Sequence, residues 1–174
     1  VPGSNIVEEK EHGTLMAMLV TPVKTIEVLV AKWLFGIILA SVMAIATLAL
    51  NGVLGANWIE VLLVVLVAAG LSAMLGVVVG VFAKDSAVMF AIVKGTGIFL
   101  FAPAIFYVFP DWPQWIAKLF PLYWIINPIW QVSVMGESIG TVWSELAVAL
   151  GITAALGVLA MWLAKRMQAQ MAGQ

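Results

Sequence analysis

The sequence predicts an all-α integral membrane bundle of four transmembrane helices, with a charged amphipathic helix on the cytoplasmic side and short helices at the outer interface. Three observations predict it. Of 174 residues, 64% are hydrophobic and only 10% are charged, against about 25% charged in a soluble domain, so too little polar surface exists to cover a water-facing globule. Four apolar stretches approach or exceed the roughly 20 residues that cross a hydrocarbon core. The basic residues fall almost entirely on one side of those stretches, as the positive-inside rule requires.

The opening segment, Glu8-Glu9-Lys10-Glu11-His12-Gly13-Thr14-Leu15, is densely charged. Asn5 is placed to cap a short helix, with Glu8 three residues later completing a capping box. Gly13-Thr14 interrupts it, and Leu15–Val20 reads as a second short apolar helix. Thr21-Pro22 then supplies a fresh N-cap and a proline at the first helical position. No basic n-region with a short apolar core precedes this segment, so a cleavable signal peptide is not expected.

The spans follow in order. The first runs from about Trp33 to Leu50 and can start as early as Pro22. The second covers about Val61–Ala83, the third about Ser86–Phe109, and the fourth about Leu146–Leu163. Membrane strands would alternate polar and apolar residues, whereas Val61–Val67 and Ile98–Ala102 are apolar on every side. Lys10, Lys24, Lys32, Lys84, Lys165 and Arg166 share one side, and Lys118 stands on the other. Both termini and the Lys84-Asp85 turn are therefore expected in the cytoplasm, and the loops around Asn51–Glu60 and Asp111–Glu145 outside. Between the third and fourth spans lie Trp112, Trp115, Trp124, Trp130 and Tyr123, with Pro110, Pro113, Pro121 and Pro128 dividing the chain into pieces too short to cross. Indole and phenol rings favour the headgroup level, so residues 110–131 are expected as two short helices lying in, or re-entering from, the outer interface.

Catalytic chemistry is hard to build from this chain. His12 is the sole histidine and there is no cysteine, which excludes a disulfide framework, thiolate metal sites and a cysteine nucleophile. Glu8, Glu9 and Glu11 lack metal-binding companions, no GxxxxGK[ST] phosphate loop occurs, and the serines have no base nearby. No cofactor or metal is expected. A net charge of −1 gives no reason to expect nucleic acid.

Within the spans, small residues recur every fourth position: Ser72, Gly76 and Gly80; Gly36, Ala40 and Ala44; Ala147, Gly151 and Ala155. Such stripes let helix backbones approach closely, within one bundle or between two copies. Pro103 removes a backbone hydrogen bond from the third span and marks either a fixed bend or a gate. Lys94, about two turns inside that span, either snorkels to the interface or lines a pathway. Ser41, Thr47, Ser72, Thr96 and Thr153 are the other polar residues in the spans, and no acid is expected at mid-depth. Ion-coupled carriers usually need intramembrane ionisable groups or broken helices, so an external energy source is favoured, and an apolar pathway suits amphipathic or lipid-like cargo.

Glu9-Lys10-Glu11-His12-Gly13-Thr14-Leu15, followed by Leu19-Val20-Thr21-Pro22-Val23 and Lys32, resembles the cytoplasmic signature of type-2 ABC exporter permeases, an EKExGTL stretch before a TP turn. Met16 departs from the pattern, where many members carry glutamate. Pro113-Gln114-Trp115-Ile116, Phe120-Pro121-Leu122-Tyr123 and Asn127-Pro128 resemble that family's outer re-entrant helices. The resemblance covers nearly the whole chain as one permease transmembrane domain, residues 1–174. Because the family has six spans, with the motif between the second and third, it implies that two N-terminal spans are missing and that the chain is partial. It further implies that residues 5–20 form a coupling segment docking on a separate ATP-binding subunit. Glu9, Lys10, Glu11, Gly13, Thr14, Leu15, Met18 and Leu19 would make that contact, the acids pairing with basic partner residues and the apolar side chains anchoring. A second permease copy or homologue is the other implied partner, and the cell membrane of a bacterium or archaeon the location. A non-transport helical scaffold and an ion-coupled carrier are the competing functions.

Overall fold

The computed structural model describes residues 2–11, 25–55, 57–109 and 111–172. Its elements are α1 (Pro2–Glu11), α2 (Thr25–Leu50), α3 (Trp58–Phe82), α4 (Ser86–Val108), α5 (Gln114–Ala117), α6 (Tyr123–Ser133) and α7 (Ile139–Ala172). No strand occurs among the described residues, and α2, α3, α4 and α7 are each long and apolar enough to span a membrane. The all-α, four-span expectation is met.

α3 is the axis of the bundle. It is apolar around its circumference, and 56% of its most apolar window is buried, against 7% for α4. Val61, Val64 and Val65 at its start pack with Val142 and Leu146 of α7 and with Ala44, Ile45 and Leu48 of α2. At its other end Val77 and Val81 meet Ala160 and Ala164 of α7 and Leu29 and Trp33 of α2. α2 pairs its late residues with the start of α3 and so runs antiparallel to it, whereas α7 pairs early with early and late with late and runs parallel to α3. The bundle therefore has a basic end, carrying Lys32, Lys84, Lys165 and Arg166, and an aromatic end, carrying α5 and α6. At the basic end the Arg166 guanidinium lies over the Trp162 ring, 3.9 Å from its centroid, a cation–π contact suited to a headgroup boundary.

Threonine hydroxyls inside the spans are satisfied on their own helices, because hydrocarbon offers them no partner, whereas the buried Ser41 hydroxyl has no hydrogen-bond partner among the described residues. Thr47 donates to the Met43 carbonyl at 2.8 Å, Thr96 to Ile92 at 2.6 Å and Thr153 to Ala149 at 2.8 Å. Trp33 of α2 instead reaches across, its Nε1 donating to the Gly70 carbonyl of α3 at 2.9 Å. The turns are equally explicit. Asp85 caps α4, its Oδ1 accepting from the Val88 amide at 2.8 Å. Gly52 and Gly136 take φ of 70° and 71° in the two chain reversals at the aromatic end, a region that only glycine enters without strain.

Two boundaries differ from expectation. α1 already includes Pro2–Ser4, so Asn5 lies inside the helix and is not its cap; Pro2 stands at the first helical position, where its missing N–H costs nothing. α7 begins at Ile139, about two turns before the predicted start of the fourth span, and runs on past Leu163. Its buried residues Val142, Leu146, Ala149, Thr153, Ala160 and Ala164 follow one helical stripe that starts at Val142. Consequently Glu145, expected in an outer loop, lies inside the last membrane-length helix.

Candidate functional site

At the basic end, α1 is held against the bundle. Ile6 joins the cluster of Val77, Val81, Ala160 and Ala164, while Val7 packs with Ala83 and Met89; Glu8 is exposed. Gly3 makes the packing possible. A Cβ added to it would lie 2.5 Å from the Gly76 carbonyl oxygen, and one added to Gly80 would lie 2.7 Å from the Gly3 Cα, distances that no real side chain tolerates. Gly76 and Gly80 thus face α1, while Ser72, one turn further along the same stripe, stays exposed. Glu9, Lys10 and Glu11 form the last turn of α1. Gly13, Thr14, Leu15, Met18 and Leu19 lie outside the described residues, as do the Gly13-Thr14 interruption and the Thr21-Pro22 cap.

α4 leans on the rest of the chain at its two ends. Met89 and Ile92 pack beside Val7 and Ala83, and Phe106 packs with Ala117 and Tyr123. Between them Val93, Lys94, Gly95 and Thr96 are exposed. Pro103 is fully buried, within a helix that runs unbroken from Ser86 to Val108.

A lateral cleft of about 540 Å³ opens between α2, α3 and α7, its walls including Trp33, Ile37, Leu66, Met74, Leu150 and Gly157. A smaller cleft of about 130 Å³ shares Trp33, Met74 and Gly157 and extends past Leu29 and Ala160 toward the basic end. Both are apolar, and the Thr153 hydroxyl at the larger one is spent on its own helix.

The aromatic end holds the most elaborate polar arrangement among the described residues. α4, α6 and α7 bring Tyr107, Asn127 and Glu145 together. The Tyr107 hydroxyl donates to Asn127 Oδ1 at 2.8 Å. Asn127 Nδ2 donates to Glu145 Oε1 at 3.0 Å and Oε2 at 2.8 Å. Asn127 is buried and its side-chain hydrogen bonds run to side chains of two other helices, so one amide joins three elements. Ring pairs gather at the same end: Tyr107 and Trp130 have centroids 5.5 Å apart, Tyr123 and Trp124 5.3 Å, and Trp112 stacks on Phe109 at 5.4 Å. Trp124 Nε1 donates to the Lys118 carbonyl at 3.0 Å, closing the turn between α5 and α6. Glu60, in the first turn of α3, accepts a hydrogen bond from the Ile139 amide and so satisfies an N–H at the start of α7 that its own helix cannot.

Burial and the neighbouring Glu145 carboxylate raise the Tyr123 hydroxyl above its ordinary value near 10. Above pH 10 the unfolded chain releases that proton while the folded chain keeps it. The native state then binds more protons, and stability falls as pH rises through that window. Thermal unfolding between pH 9 and 11 should therefore decline less steeply in Tyr123→Phe than in the wild-type protein; equal slopes would count against this assignment.

Sequence reasoning singled out Ser72, Gly76, Gly80, Lys94 and Pro103 and named Asn127 only within the outer motif, but missed Gly3, Glu60, Tyr107 and Glu145. The signal for Asn127 was present, the one amide in the otherwise apolar and aromatic run Leu119–Trp130.

Chain-wide, residues 1–163 match the family described as "Fluoroquinolones export permease protein Rv2686c-like". The chain belongs to that family. The resemblance to ABC exporter permeases carried by the opening motif agrees with this membership, and the chain is a multi-pass membrane protein of an export permease family. No curated protein and no solved structure matches it significantly.

Proposed function

We propose that this chain is the membrane-spanning subunit of an ABC exporter, forming the translocation pathway while a separate ATP-binding subunit hydrolyses ATP. Membership of an export permease family carries the reading. The match to the EKExGTL signature at Glu9–Leu15 supports the ATP-driven part of it. Residues 5–20 act as the coupling segment, residues 110–131 as the outer re-entrant segment, and the basic end faces the cytoplasm of the cell that carries it, in keeping with the positive-inside rule. A second copy or a homologue completes the pathway.

The seating of α1 on α3 and α4 gives the coupling a physical route. A partner that moves the end of α1 acts on the α3 backbone through Gly3, Gly76 and Gly80, and on α4 through Val7 and Met89. α4 is the helix least held by the others, so it is the element such a displacement would move most readily. Lys94, on its exposed middle, and Pro103 near its outer end would then line the moving wall. The family's printed substrate, a fluoroquinolone, is an amphipathic aromatic molecule, and the apolar lateral cleft suits the apolar part of such a cargo.

An affinity-tagged full-length permease should co-purify with an ATP-binding-cassette subunit from its native host, and Glu11→Ala should reduce cargo-stimulated ATP hydrolysis several-fold without lowering permease abundance. Absence of a nucleotide-binding partner, together with unchanged export by Glu11→Ala, would contradict the proposal.

A further inference from the structure

We propose that Glu145, with the ring faces of Tyr107 and Trp130, forms a recognition site at the aromatic end of the bundle for an organic cation carried by the exported cargo. The inference rests on the export-permease reading and deepens it by naming a substrate class.

The carboxylate exceeds what structure alone demands. Glu145 lies within a membrane-length helix, where a charged side chain is costly and such groups usually mark function. Its hydrogen-bond partner is the Asn127 amide, a neutral donor that spends one nitrogen on both oxygens. A glutamine at position 145 would satisfy the same amide without carrying a charge. Among the described residues no lysine or arginine forms a salt bridge with Glu145; Lys118, the lone basic residue expected at this end, is exposed. An ionised carboxylate has about four acceptor positions, so capacity remains for a cationic donor.

The rings supply the second half of the site. Tyr107 is fixed by its hydroxyl on Asn127, the same amide that holds the Glu145 carboxylate. Trp130 lies 5.5 Å from the Tyr107 ring and is 40% exposed, leaving an indole surface accessible. Indole is the strongest of the cation–π partners. A half-buried carboxylate beside tethered aromatic faces attracts a protonated amine or quaternary cation with an apolar body, and rejects an anion of the same shape. Tyr123, buried against Phe106 and Ala117, stiffens this arrangement without being needed for contact.

The full-length permease in zwitterionic nanodiscs, with binding to empty nanodiscs subtracted, tests this with two probes of matched size and opposite charge, tetraphenylphosphonium and tetraphenylborate. The wild-type protein should bind the cation at least tenfold more tightly than the anion. Glu145→Gln should abolish that preference and Glu145→Asp should keep most of it. Trp130→Ala, at a position 40% exposed, should weaken cation binding about fivefold. Equal affinity for the two ions, a preference that survives Glu145→Gln, or an unchanged cation affinity in Trp130→Ala overturns the proposal. Binding in this assay needs neither ATP nor a partner subunit. Equal affinity of the wild-type protein for the two ions therefore refutes the cation site alone, whereas absence of an ATP-binding partner refutes the exporter reading and leaves the binding result standing.

Discussion

Gly80→Val should detach α1 from the bundle. The valine Cβ would occupy a point 2.7 Å from the Gly3 Cα and carbonyl oxygen, and both obstacles are backbone, so no rotamer change relieves the clash. Overpacking in a rigid site costs about 1–3 kcal/mol and occasionally more; here the upper end is expected, because separating the helices also uncovers Ile6 and Val7. Purified Gly80→Val should unfold at markedly lower temperature, and its export activity should fall even where the protein persists. Gly95 provides the contrast, since nothing lies within 4 Å of a Cβ added there. Gly95→Ala should be neutral or stabilising, by up to about 1 kcal/mol from helix propensity. A Gly80→Val protein as stable as wild type would show that α1 does not sit on α3 in the membrane.

Asn127→Leu should produce the second large effect. The substitution keeps approximate volume but removes the amide that joins α4, α6 and α7. The Tyr107 hydroxyl loses its acceptor and the Glu145 carboxylate its donor, and each unmet group in a water-poor site costs about 1–3 kcal/mol. A summed loss of roughly 3 kcal/mol is expected, discounted from the maximum because Glu145 is only half-buried and can recruit water. The double variant Asn127→Leu with Glu145→Leu should recover part of that loss, because replacing both partners of a buried polar pair is far less costly than orphaning one. Denaturant unfolding of the two variants checks this, and equal destabilisation of single and double variants would contradict the role given to the amide.

The spans were legible because membrane helices are specified by composition over 20 residues, a signal that no single residue can mask. The ends of helices depend on fewer residues, and there the reading slipped. Glu145 was placed in the outer loop because the last apolar span was started at the next residue, Leu146. The apolar stripe beginning at Val142 was the better guide, and it puts Glu145 on the helix, turned toward Asn127. Asn5 and Glu8 offered a capping box, but Pro2 also suits a helix start, and burial of Ile6 and Val7 favours the longer helix. The stripe of Gly76 and Gly80 was visible, yet its occupant, Gly3, was not: a contact across more than 70 positions leaves no trace in local spacing. The meeting of Tyr107, Asn127 and Glu145 was hidden in a similar way: Asn127 stood out as an amide among apolar residues, but its partners on two other helices did not.

Energy coupling is the central claim, and ATP dependence of export measures it most directly. Inside-out vesicles containing the permease and its ATP-binding subunit should accumulate a fluoroquinolone when ATP is supplied. They should continue to do so after the proton gradient is collapsed, and should stop when ATP is replaced by a non-hydrolysable analogue. Accumulation that needs no ATP and disappears with the proton gradient would make the protein an ion-coupled carrier and contradict the account.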